Sequence, residues 1–111
     1  MTTQTYKPPK HLSKDAAAFF TGSVAEYEFE PHHIILLTKA CEAYDRAEDA
    51  RKVIAKEGMT YQDRFGSPRA HPAVAIERDS RIGMARLFRE LALDIGEAAS
   101  GRPPALPANR R

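Results

Sequence analysis

The chain has 111 residues, 29% of them charged, 42% hydrophobic, and a formal net charge of +2. That is room for a single small domain, and a domain of this size buries only a modest share of its unfolded surface, so self-association would help it. No apolar run approaches the roughly 20 residues of a membrane span, residues 1–11 lack the apolar centre of a signal peptide, and one cysteine, Cys41, cannot form an internal disulfide. A cytoplasmic protein without membrane contact is expected.

Residues 1–11 contain Pro8-Pro9 with Lys7 and Lys10, which predicts an extended basic arm, with packed structure starting near Leu12. Ser13 is placed to cap a helix carrying Asp15 in its first turn and the run 16–20 ending in Phe19 and Phe20, stopping at Gly22 or running on to Tyr27. Pro31 suits the first position of a second helix, which then meets no breaker before Gly58.

That second helix carries two apolar stripes, on nearly opposite sides at 100° per residue. One is Ile34, Leu37, Cys41 and Tyr44; the other is Leu36, Ala40, Ala43, Ala47, Ala50 and Ile54. It must therefore be covered from two directions, and the alanines allow a backbone to come close. A short hairpin follows, with β character at 59–61, a turn at 63–66 and a return at 67–70. His71-Pro72 opens a third helix with Val74, Ile76, Ile82, Met84, Leu87, Phe88 and Leu91 as core candidates. Gly83 inside it costs about 1 kcal/mol against alanine, which is either offset by a close backbone approach or simply tolerated.

The expected architecture is mostly α: a three-helix core, its long antiparallel pair joined by a short β-hairpin. The expected boundaries are a basic Pro-containing arm (1–11), a helical oligomerisation domain (12–96) and a Pro-rich basic tail (97–111).

Catalytic and metal chemistry are not expected. His32 and His33 diverge by 100° on a helix and no pair of histidines has i, i+4 spacing. Asp45, Glu48 and Asp49 have Arg46, Arg51 and Lys52 as ion-pair neighbours, and Gly66-Ser67-Pro68 fits neither a nucleophile elbow nor a phosphate loop. No cofactor is implied. Arg78, Arg81, Arg86 and Arg89 interleave with Glu77, Asp79 and Glu90, as on a solvated face.

One run of residues is more specific. Cys41-Glu42-Ala43-Tyr44-Asp45 midway along a long helix, Gly58 closing it, and Gly66-Ser67-Pro68-Arg69-Ala70-His71-Pro72 before another helix resemble the small subunit of the phage terminase, over roughly residues 12–93. The resemblance implies a non-enzymatic, ring-forming homo-oligomer that binds double-stranded viral DNA and hands it to the large terminase subunit, which carries the ATPase and nuclease. Two features depart from the family. The third helix ends Leu91-Ala92-Leu93-Asp94-Ile95-Gly96 where members commonly have Leu-Gly-Leu, then proline and a basic residue, and residues 1–11 leave no room for the helix-turn-helix domain that many members carry upstream.

The expected DNA grip is thus salt-sensitive and weakly sequence-specific, through Lys7, Lys10, Lys14, Arg64, Arg69, Arg102, Arg110 and Arg111. The expected oligomer interface comprises Phe19, Phe20, Leu36, Ala40, Ala43, Ala47, Ala50 and Ile54. The alternative is a small protein-interaction module whose tail, 102–107, docks in a partner groove.

Overall fold

The computed structural model describes residues 6–92. The expected tail and the C-terminal end of the expected helical domain lie outside them, as do residues 1–5 of the arm.

Three helices and one hairpin follow in the order α1 (Lys14–Glu26), α2 (Pro31–Glu57), β1 (Thr60–Gln62), β2 (Pro68–Ala70) and α3 (Pro72–Leu91). Their ends follow from local chemistry. The Ser13 hydroxyl accepts from the Ala16 amide at 3.1 Å, a side-chain cap that satisfies one of the first-turn donors. Pro31 occupies the first turn of α2, where its missing N–H costs nothing. Just ahead of it, the His33 Nδ1 accepts from the Glu30 amide at 2.9 Å. Gly58, at φ 89°, ends α2 in a conformation that a side chain would strain, and donates its N–H to the Ile54 carbonyl at 2.7 Å.

Helix α2 is the spine. Its first stripe meets α1: Leu37 and Cys41 cluster with Leu12, Ala16 and Phe20, and Leu91 of α3 closes this core. The Cys41 thiol lies 3.6 Å from the Ala16 carbonyl oxygen, and the Ser13 amide donates to Asp45 at 2.8 Å. Tyr6 packs against the same cluster and the exposed His11 pairs with Glu42 at 2.8 Å. The chain is therefore fastened to the spine from Tyr6 onward, six residues before the expected start of packed structure.

The second stripe meets α3. Glu57 with His71, Arg46 with Ser80, and Leu37 with Leu91 mark successive levels of the pair, so the two helices run antiparallel. Ala40, Ala43, Ala47 and Ala50 are all buried. Facing them, the inward line of α3 runs Ala73, Glu77, Ser80, Met84, Leu87 and Leu91, buried or half-buried throughout. Both lines advance in alternating steps of four and three, the spacing that keeps two helices in register along a shared seam, and small side chains on both sides let them approach closely.

This seam corrects two expectations. Ile76 and Ile82 are 44% and 41% exposed: Ile82 is 200° around the helix from Ser80 and faces outward, and Ile76 sits at the seam's edge near the open hairpin end. Ala73 and Ser80, which are not among those core candidates, take the seam instead. Nor does any backbone approach Gly83, where an added Cβ would meet nothing within 4 Å.

Strands β1 and β2 pair antiparallel, Thr60 with Ala70, Tyr61 with Arg69 and Gln62 with Pro68, and every residue of both is exposed. The hairpin is a projection beyond the helices and contributes nothing to the core.

Candidate nucleic-acid interface

The hairpin is organised around Asp63. Its Oδ1 accepts the amides of Phe65 at 2.8 Å and Ser67 at 3.0 Å, while Oδ2 takes the Arg69 guanidinium at 2.9 Å. An aspartate that bonds backbone amides just downstream supplies the turn with its own template, and Gly66, at φ 80°, provides the left-handed residue that lets the chain reverse. The Ser67 amide first, then Arg69, hold the Asp63 carboxyl below its ordinary range, since each of these bonds favours the charged form.

Both lone-pair faces of the one acid in the tip are thus spent within it. Arg69 is committed to Asp63. Arg64 has no carboxylate among the described residues; its Cζ lies 5.0 Å from the centroid of the Phe65 ring, within cation–π range. Phe65 is 77% exposed and its neighbours Met59 and Tyr61 are 66% and 46% exposed. A tip presenting an exposed aromatic ring with an unneutralised cation over it is the result. Phe65 was not among the expected contacts, although the run Asp63-Arg64-Phe65-Gly66 carries a usable signal: a large apolar residue where turn chemistry guarantees exposure.

The other expected DNA contacts lie elsewhere. Lys7, Lys10 and Lys14 are exposed beside the middle of α2, where His11 and Ser13 are attached. At 1.5 Å per residue, that is on the order of 20 Å from the hairpin. Arg102, Arg110 and Arg111 lie outside the described residues. On α3, Arg78 pairs with Asp79 at 3.2 Å and Arg81 with Glu77 at 3.0 Å, while Arg86 and Arg89 have no ion-pair partner among the described residues. The opposite end of α2 is acidic: Glu26, Glu28 and Glu30 are all exposed there.

The expected oligomer interface is largely spent inside the protomer. Phe20, Ala40, Ala43, Ala47 and Ala50 are between 0% and 7% exposed, covered by this chain's own helices. Phe19, at 44%, remains open, packed at a tilt of 52° on Phe88 with ring centroids 5.4 Å apart, and Leu36 and Ile54 are half-buried. Phe19 and Phe88 line, with Ala16, Cys41, Tyr44 and Met84, an apolar groove of about 340 Å³.

Among the described residues no three His, Cys, Asp or Glu side chains converge as a metal site would require. Cys41 is buried, and burial first, then Asp45 and Glu42, push its thiol up to about 11, so its nucleophilic thiolate is scarce at neutral pH. Glu42 is held below its ordinary range, chiefly by its bond from His11.

The sequence model of the family described as "Phage terminase, small subunit" matches residues 24–102, a stretch that includes all of α2, the hairpin and α3. The chain belongs to the phage terminase small-subunit family. No curated protein and no solved structure matches it in the other two comparisons. Within this small-subunit chain, Arg64, Phe65 and Arg69 fall inside the family region, whereas Lys7, Lys10 and Lys14 precede it. No described helix is long and apolar enough to cross a membrane.

Proposed function

We propose that the chain is the DNA-recruiting, non-catalytic subunit of a phage packaging motor. It assembles as a homo-oligomeric ring, binds double-stranded viral DNA, and loads it onto the large terminase subunit, whose ATPase and nuclease it modulates. The observation that carries this reading is membership in the small-subunit family over residues 24–102. Two features of the fold support it: a surface that keeps Phe19, Ile35, Ile76 and Ile82 exposed, as a chain that self-associates would, and cations at Arg64, Arg86 and Arg89 that have no ion-pair partner among the described residues.

In this reading DNA contact is shared among Lys7, Lys10, Lys14, Arg64 and the basic tail with Arg102, Arg110 and Arg111; Arg69 contributes shape more than free charge. Subunit contacts use Phe19, Leu36 and Ile54. A chain of 12.4 kDa should then scatter light as a species several times heavier. Its affinity for duplex DNA should fall steeply with salt, because each neutralised phosphate releases counterions. A monomer that ignores DNA at low salt would refute the reading.

A further inference from the structure

We propose that the β1–β2 tip is a wedge for duplex DNA, in which Arg64 meets a backbone phosphate and Phe65 inserts at a base step from the minor groove. The proposal rests on the DNA-binding reading above and assigns that binding to particular atoms.

Four observations carry it. First, Phe65 is the most exposed large hydrophobic residue of the described chain, at 77%, and it stands on a projection with no core role, so packing does not account for it. Apolar side chains on such projections are a recurring means of prying open a base step, and the ring offers bases a flat face. Second, the wedge is stiff. Asp63 ties the amides of Phe65 and Ser67 and the Arg69 guanidinium together, so little freedom is lost when the tip docks.

Third, the charge at the tip favours a polyanion. The same three bonds occupy Asp63, leaving Arg64 beside the ring without a carboxylate partner among the described residues. Fourth, the molecule is polarised: Glu26, Glu28 and Glu30 are exposed at the far end of α2, a helix of 27 residues and therefore about 40 Å long. Phosphates repelled at one end and attracted at the other would present the hairpin to DNA. A protein partner would find the same aromatic tip attractive, but nothing in such a partner requires the free cation or the distant acidic loop.

The test uses the full-length chain and a 30-base-pair duplex labelled at both ends, so that anisotropy reports binding and energy transfer reports bending. Phe65→Ala should weaken binding about tenfold or more and abolish bending, with the salt dependence unchanged; Phe65→Trp should retain both. Arg64→Ala should lower the salt slope by about one. Thr21→Ala, exposed on α1, should change neither, and circular dichroism should show all four variants equally helical. Wild-type binding with Phe65→Ala and Arg64→Ala indistinguishable from it would overturn the wedge and leave the DNA-binding reading intact. So would loss of large-subunit capture by Phe65→Ala with DNA binding unaltered, which would reassign the tip to a protein. Absence of any salt-sensitive binding by the wild type would overturn both.

Discussion

The imidazole of His71 joins the two long helices at their hairpin end: its Nδ1 accepts from the Ala73 amide at 3.0 Å, and its Nε2 lies 2.8 Å from the Glu57 Oε1. Because Nδ1 accepts, the proton is on Nε2 and points at Glu57. One neutral ring thereby caps the start of α3 and pins the end of α2. His71→Ala removes both bonds and should cost about 1 kcal/mol, read as a lowered midpoint in urea. His71→Asn keeps a capping oxygen and should recover part of that loss; full wild-type stability in His71→Ala would contradict the double role.

The alanine seam allows a sharper test. Ala43 is 4% exposed, and a leucine there would force α3 away from α2. Overpacking of this kind costs typically 1–3 kcal/mol. Ala43→Leu should therefore unfold at lower urea concentration than wild type, whereas Ala55→Leu, on the exposed side of the same helix, should not.

Gly83 points the other way. An added Cβ meets no atom within 4 Å and the residue is helical, so Gly83→Ala should stabilise the chain by up to about 1 kcal/mol through helix propensity alone. A raised thermal midpoint checks it; a drop would mean that a neighbouring subunit uses the space.

For Cys41, with its thiol pushed up to about 11, the thiolate fraction at pH 8 is on the order of one in a thousand. Alkylation of the native chain should be very slow at pH 8 and rise about tenfold per pH unit below the thiol's pKa. In urea it should accelerate by orders of magnitude, because unfolding removes the burial, the largest cause of the raised value. Fast labelling of the native protein at neutral pH would be inconsistent with this burial.

Asp63 gives the hairpin an acid limit. Its carboxyl is held below the ordinary value of 3.8, so its contribution to hairpin stability is complete above that value and lost as the pH falls through the lowered folded-state value. The amide resonances of Phe65 and Ser67 should shift together below about pH 4 in the wild type. In Asp63→Asn that titration should vanish.

Helix ends were the most legible part of the fold, because Ser13, Pro31, Gly58 and Pro72 each act through their own backbone geometry. The two-sided nature of α2 was legible too, from stripes that no single neighbour could cover. What covered the second stripe was not: the partner line on α3 is built from Ala73, Glu77 and Ser80, residues that carry no hydrophobic signal, so the isoleucines nearby were read as core. By sequence the alanine face therefore reads as a subunit interface, whereas this chain's own α3 occupies it. At the hairpin the arginines were read for their charge, yet it is the Asp63 bonds, invisible in a list of residue types, that separate the committed Arg69 from the free Arg64.

Since, among the described residues, the hairpin touches the helices only where its strands leave α2 and enter α3, its sequence is under almost no packing constraint. Residues 61–69 can therefore be exchanged between relatives as a cassette, provided Gly58 and the His71-Pro72 entry remain. If the tip is the proposed wedge, binding preference would travel with the graft while the helical body stays as it is, so related chains could diversify what they grip without relearning how to fold.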